Sequence, residues 1–540
     1  MLFNSFEFAA FFLVFLVVYG FVRRHVFARN LFILAASYLF YSAWDVRFMQ
    51  LIVVSTAVDY AAALMIERGR IPLLHRLGIS AYVIGGAIGF VGIGGYLLVD
   101  PSESASVMPL ILGCIGATVL ANALYPLLPR LTESVRRRTV LVSSIVVNLG
   151  ILGTFKYFDF FADSFSRLIS NTFGMEPSDW TVGFILPVGI SFYTFQTMSY
   201  SIDVYRRKTQ ASSRFVDVAA YIAFFPQLVA GPIERASQLL PQFHEVRPAL
   251  DLDRFRRGVW LIVWGLFKKV VVADNMAVVV NATFGPYDQG GTAVPADGLT
   301  LLVALYAFAL QIYGDFSGYT DIARGVSKLL GFDLMRNFDL PYFATSPSDF
   351  WRRWHISLSS WLRDYLYIPL GGNKGGPWLT YRNLTITMLL GGLWHGAAWN
   401  FVIWGAYHGL LLSIYRALGM RTEAGAYPRP VILLLGLLMF HLTCIGWLLF
   451  RAQNVGTIVV FLEGIFLNPI ASDQTWSDLT QVVKFGWFLV VFQIAQAITR
   501  TQDPMRRWPW FVRLNIWIFI LMSLFALSAR GSQEFIYFAF

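Results

Sequence analysis

The chain has 540 residues, of which 56% are hydrophobic and 14% charged, against roughly 25% charged in a soluble globular protein, so a soluble domain is excluded. Its formal net charge of +10 argues little for nucleic acid, because the basic residues fall in short clusters between apolar runs, where the positive-inside rule puts cytoplasmic loops. Cys114 and Cys444 both lie in apolar runs without ligand spacing, which speaks against a disulfide framework or a zinc site.

Apolar runs near the roughly 20 residues that cross a bilayer as a helix recur from Phe6 to Ala526. The first, Phe6 to Val22, has no basic leader and no small-residue cleavage signal, so it reads as a retained helix. Arg23, Arg24, His25 and Arg29 follow it, which places that loop in the cytoplasm and the N-terminus outside. Spans near 31–46 and 49–66 return the chain to a basic loop, and a hairpin near 79–99 and 107–126 turns outside through the acidic connector Asp100 to Glu103. Arg130 and Arg136 to Arg138 mark cytoplasm again. One span then leads out to 156–180 and another returns to Arg206, Arg207 and Lys208.

The apolar stretch from Phe215 to Ala230 has basic residues on both sides, so both ends read as cytoplasmic and the segment as re-entrant, buried in protein or lining a watery cavity. The 281–297 loop lacks Lys and Arg and belongs outside; the span starting at Leu299 brings the chain back. From Thr345 to Leu370 the sequence is aromatic and basic, as suits helices at the cytoplasmic interface. A glycine loop from Gly371 to Gly376 precedes a paired run near 379–396 and 398–416. Spans near 430–450, 482–499 and 510–529 leave the tail outside. With no internal repeat or linker, residues 1–540 read as a single all-α membrane-embedded domain.

Ionisable groups inside spans are costly and serve as functional hypotheses. His395 lies 14 residues after Tyr381, roughly 20 Å into the membrane at about 1.5 Å per residue. It is either a general base in a buried pocket or a histidine bonded to a neighbouring helix; flanking Gly391, Gly392 and Gly396 let a backbone or a ligand come close. His408 faces elsewhere on a continuous helix, and His441 reads as structural. His355 either orients a ligand or caps its helix. Near the cytoplasmic end of its span, Gln311, Asp315 and Tyr319 share a stripe and Asp321 can reach Arg324. Asp315 or Ser317 then either closes an internal ion pair or lines the His395 cavity. Arg352, Arg353, Arg363 and Lys374 surround the glycine loop, and they meet either anionic lipid or the phosphates of coenzyme A. The loop matches neither phosphate-binding glycine fingerprint, and no metal site is expected.

Five strings together resemble the membrane-bound O-acyltransferase family, and within it the alginate O-acetylase branch. They are Leu186-Pro-Val-Gly-Ile-Ser-Phe-Tyr193, Phe225-Pro-Gln-Leu-Val-Ala-Gly-Pro232, Asp315-Phe-Ser-Gly-Tyr319, Phe350 to Asn373, and Gly391 to Gly409. The resemblance implies a ring of transmembrane helices, re-entrant segments and interfacial helices around a central funnel for acyl-CoA. His395 maps onto the histidine at the bottleneck and His355 onto the family's second histidine. The hairpin at 78–126 is an insertion relative to the branch, and Gly314 stands where the branch has Phe, which is expected to widen the cavity. The tail from Glu534 to Phe540 (within 530–540) resembles the aromatic C-terminal motif of relatives, and Tyr537 is the expected transient acyl acceptor, or else an interfacial anchor.

Taken together, the expectation is an O-acetyltransferase of the bacterial inner membrane. It takes acetyl from cytoplasmic acetyl-CoA, a substrate and not a resident cofactor, for an exported polysaccharide such as alginate. Expected partners are a periplasmic SGNH or esterase-like acetyltransferase, the polysaccharide synthesis and export machinery, and membrane lipid. Acetylation of cellulose or peptidoglycan and D-alanylation of teichoic acid are the alternatives within the class. A transporter without chemistry is the rival from another class, although such folds tend to show repeated halves.

Overall fold

The computed structural model describes residues 1–95, 107–174, 176, 179–248, 250–289, 297–420, 428–528 and 535–536, and among these it is helical, with no strand. Seven of the described helices are long and apolar enough to cross a membrane: Val46–Arg68, Leu73–Gly94, Met108–Arg130, Glu133–Phe173, Gly298–Leu329, Arg429–Arg451 and Asp473–Thr499. Phe21, Leu433 and Phe525 are more than two-thirds exposed. Leaving such side chains in water is costly, so these faces meet lipid. The chain is a multi-pass membrane protein.

Read from sequence as one domain, the chain packs as two compact units: Met1–Phe255 with Ser327–Leu334, and Arg256–Val326 with Met335–Phe540. No linker marks the division, because two of its boundaries fall inside the helices Leu252–Leu266 and Gly298–Leu329.

In the first unit the Met49–Arg68 helix packs on Glu133–Leu152 and Ile190–Tyr205. Its Asp59 carboxylate is fully buried and accepts hydrogen bonds from the Ser144 hydroxyl (2.5 Å), the Asn148 amide (2.7 Å) and the Ser201 hydroxyl. Neutral donors thus serve a carboxylate that lipid could not solvate. The Phe215–Ala230 stretch is broken at Ala223 and Phe224 into the helices Phe215–Ile222 and Phe225–Leu228, each too short to cross. From Asp217 to Leu228 every residue is buried, which meets the requirement that non-helical backbone at depth be covered by protein. The hairpin begins at Leu73, earlier than its apolar sequence suggests, since His75 and Arg76 lie within its first helix.

The second unit is organised on Gly298–Leu329. Positions where a Cβ would stand on Gly265 and Gly318 lie 2.6 and 2.7 Å from each other's carbonyl oxygens, and that of Gly325 lies 2.6 Å from the Gly258 oxygen. Two glycine pairs, each spaced by seven along its own helix, therefore let two backbones touch. A π-helical turn at Phe267–Ala273 presents Lys268 and Lys269 to this helix. The short helices Pro347–Arg353 and Ile356–Leu362 follow, then the hairpin Pro377–His395 and Trp399–Ala417. Val455–Leu467 is an apolar helix the sequence reading missed, and the next helix starts at Asp473 and not near 482.

Candidate functional site

His395 is the last residue of the Pro377–His395 helix, where Gly396 turns to extended backbone before the hairpin partner begins at Trp399. Side chains in this corner are aromatic. The His395 ring lies 5.1 Å from Trp394, 5.1 Å from Trp404 and 5.5 Å from Phe450, each edge-on. The imidazole is 4% exposed.

A cavity reaches it. It has a volume of about 280 Å³ and is lined along one stripe of the helix by Leu384, Met388, Gly391 and His395, an 11-residue run of roughly 16 Å. Ile356, Leu358 and Leu362 form the facing apolar wall, and Ser359, Ser360 and Thr387 place hydroxyls along it. Arg352 and Arg363 line the same cavity, with side chains 56% and 62% exposed. Cations at the open end, an apolar shaft and a buried imidazole at the inner end suit a ligand with an anionic head and a thin reactive arm. Arg363 bonds the Asp364 carboxylate at 2.8 Å, and that hydrogen bond pushes its guanidinium above the usual range, so it stays charged.

His355 stands behind His395, with ring centroids 6.3 Å apart. It does not line the cavity. Its ring is wedged between Phe316 (4.7 Å) and Trp394 (5.8 Å). Its backbone, at φ 44° and ψ 55°, takes a left-handed conformation that non-glycine residues rarely adopt. Asn337 holds that turn: its carbonyl accepts from Ile356 N–H at 2.9 Å and its side-chain oxygen from Ser357 N–H at 3.2 Å. His355 thus starts its helix and also backs the inner end of the site. His408 meets Trp404 edge-on at 4.8 Å, and Tyr306 bonds His441 at 2.8 Å.

Arg353, next to Arg352, turns away. It pairs with Asp349 at 2.9 Å and lines a second cavity of about 740 Å³, together with Lys268, Arg324, Arg336 and Arg500. Lys374 is exposed on the glycine loop and lines neither cavity. Gly371, Gly372, Gly375 and Gly376 all have positive φ there, between 57° and 113°, and Asn383 donates to the Gly372 carbonyl at 3.0 Å. Lysines 268 and 269 escaped the sequence reading, which searched the spans for His, Asp and Glu. Two adjacent cations inside Leu266-Phe-Lys-Lys-Val-Val271 were the signal.

Asp315 is placed in an ion pair, not on the His395 cavity. Lys269 bridges it (2.9 Å) to Asp274 (2.8 Å), and Ser317 instead accepts from Lys268 at 3.0 Å. The helix runs on to Leu329, so this cluster lies midway along it and not near its end. Asp321 does reach Arg324, at 3.0 Å. Gly314 does not widen a cavity: a Cβ there would lie 2.9 Å from the Lys268 carbonyl oxygen, so neighbouring backbone fills the space. Asp315 also accepts from the Ile536 N–H at 2.6 Å, and Phe535 packs on Tyr319 at 5.0 Å. Tyr537 lies outside the described residues.

Residues 206–429 match the model of the membrane-bound O-acyltransferase family. The chain is 46% identical over 350 residues to a protein of Azotobacter vinelandii named "Probable alginate O-acetylase AlgI", covering 65% of this chain and 66% of that one. A protein of the same name from Pseudomonas aeruginosa is 46% identical over 326 residues, covering 60% of each chain. A "Peptidoglycan O-acetyltransferase" of Helicobacter pylori is 37% identical over 361 residues, covering 62% of this chain and 66% of its own. In each case the match spans less than two thirds of the relative's length.

Proposed function

The chain belongs to the membrane-bound O-acyltransferase family, and on that premise we propose that it takes acetyl from cytoplasmic acetyl-CoA for O-acetylation of an exported polysaccharide such as alginate, across the bacterial inner membrane. The observation that carries this reading is the cavity that joins Arg352 and Arg363 to His395. Guanidinium forks at its open end suit the phosphates of coenzyme A. The apolar shaft takes the pantetheine arm and sets the thioester against the imidazole.

His395 acts as general base. It accepts the proton of an acceptor hydroxyl as that oxygen attacks the thioester carbonyl; the carbon–sulfur bond breaks, and the thiolate of coenzyme A recovers the proton from the imidazolium. His355 positions this imidazole from behind. The acetyl ester then passes to a periplasmic esterase-like transferase acting with the polysaccharide export machinery. Similarity to a peptidoglycan O-acetyltransferase supports peptidoglycan as the second acceptor to try.

Purified full-length protein given acetyl-CoA and a hydroxyl acceptor is expected to release free coenzyme A, and His395→Ala to lose that release. Normal acetylation of the polymer by His395→Ala would refute the base assignment. Tyr537 is the proposed transient carrier of the acetyl group, supported by the burial of Phe535 and Ile536 against the helix that also backs His355. Tyr537→Phe is expected to abolish polymer acetylation in cells, and full acetylation by that variant would remove the carrier role.

A further inference from the structure

We propose that the larger cavity of the second unit binds the phosphate-bearing headgroup of an anionic phospholipid. Lys268, Arg324, Arg336, Arg353 and Arg500 line it, against the carboxylates of Asp321 and Asp339. Asp321 serves both Lys268 (2.7 Å) and Arg324 (3.0 Å). Arg336 pairs with Asp339 at 3.1 Å and Arg353 with Asp349 at 2.9 Å. Positive charge therefore exceeds negative charge after all of these pairs are counted. Lys268 is 2% exposed, so its share of the field is poorly screened by water.

The form of the ligand follows from where these groups come from. Arg324 lies in the last turns of Gly298–Leu329, Arg353 ends Pro347–Arg353, and Arg500 caps Asp473–Thr499. The positive-inside reading gives all of these ends to the cytoplasmic side. Beside the cations the wall is apolar, with Leu261, Ile432 and Ala497 from three different helices and Trp264 stacked on Trp260 at 5.7 Å. A free phosphate needs the cations alone. Cations at helix ends beside an apolar wall match a phosphate joined to acyl chains, and basic pockets between helices on the cytoplasmic face take up such headgroups. Among the described residues this cavity shares no lining residue with that of His395, so the inference stands apart from the acetyl-transfer reading.

The test uses the full-length protein in phosphatidylcholine vesicles, titrated with phosphatidylglycerol and read by native mass spectrometry of retained lipid. Saturable binding is expected, weakened roughly five-fold by each of Arg336→Gln and Arg500→Gln and falling as salt rises. Arg336 is 46% exposed and Arg500 also exposed, so both variants are expected to fold, which an unchanged melting midpoint in lipid-free detergent checks. Coenzyme A and inorganic phosphate form the competing arms and are expected to leave the lipid in place. Equal phosphatidylglycerol retention by wild type and both variants overturns the proposal, as does displacement of the lipid by either soluble phosphate.

Discussion

Two cavities lined by residues of the second unit draw adjacent residues from one short helix and put opposite demands on them. In the smaller, cations stand at the exposed end and the depth is apolar up to one imidazole. In the larger, charge runs through the wall to Lys268, and among the described residues no histidine lines it. Arg352 and Arg353 look interchangeable in sequence, yet one lines each cavity. The basic character of a segment shows that anions are met there, while the direction of each side chain decides which anion and for what purpose.

The largest effect expected is on the imidazole: His395→Ala lowers acetyl transfer about 10²- to 10⁴-fold, the usual contribution of a general base. Equal loss on removing any one cation of the larger cavity would erase the distinction. Next come the lysines. Lys269→Met leaves Asp315 and Asp274 buried without a cation and costs about 3–5 kcal/mol of stability. Lys268→Met costs less, since Asp321 keeps Arg324 at 3.0 Å. Thermal unfolding of the two variants in one detergent compares them directly, and a reversed order would contradict the pairing described. Arg363→Gln raises the acetyl-CoA KM roughly ten-fold with kcat retained, the scale of one hydrogen bond to a charged group. Lys374→Gln shifts that KM at most about two-fold, as for an exposed charge outside the site.

Much of the architecture was legible in the sequence because lipid permits few solutions: apolar runs and basic clusters located most helices, the broken Phe215–Ala230 segment and the hairpin that turns at His395. Val455–Leu467 went unread because 13 residues fall short of a span, and the start of Asp473–Thr499 because its first turns carry Asp473, Gln474 and Asp478. In the site, Arg352, Arg363 and His395 could be named from sequence but not separated from Arg353 and Lys374. Side-chain direction at a helix end depends on neighbours such as Asp349, and no spacing rule supplies it. The expectation for Gly314 failed for a related reason: a missing side chain leaves space only if no other backbone enters it. Asp315 had two readings until Lys269, remote in sequence, was placed beside it.

The hairpin that turns at His395 is closed so tightly that a Cβ on Gly392 would collide with the Phe401 carbonyl and one on Gly405 with that of Met388. The imidazole therefore rides on two fused rods and behaves as a fixed anvil. The facing side is built otherwise, of two helices of seven residues each joined at His355, whose left-handed backbone is the less favourable conformation for that residue, so any give needed to admit a guest is expected there and not in the hairpin.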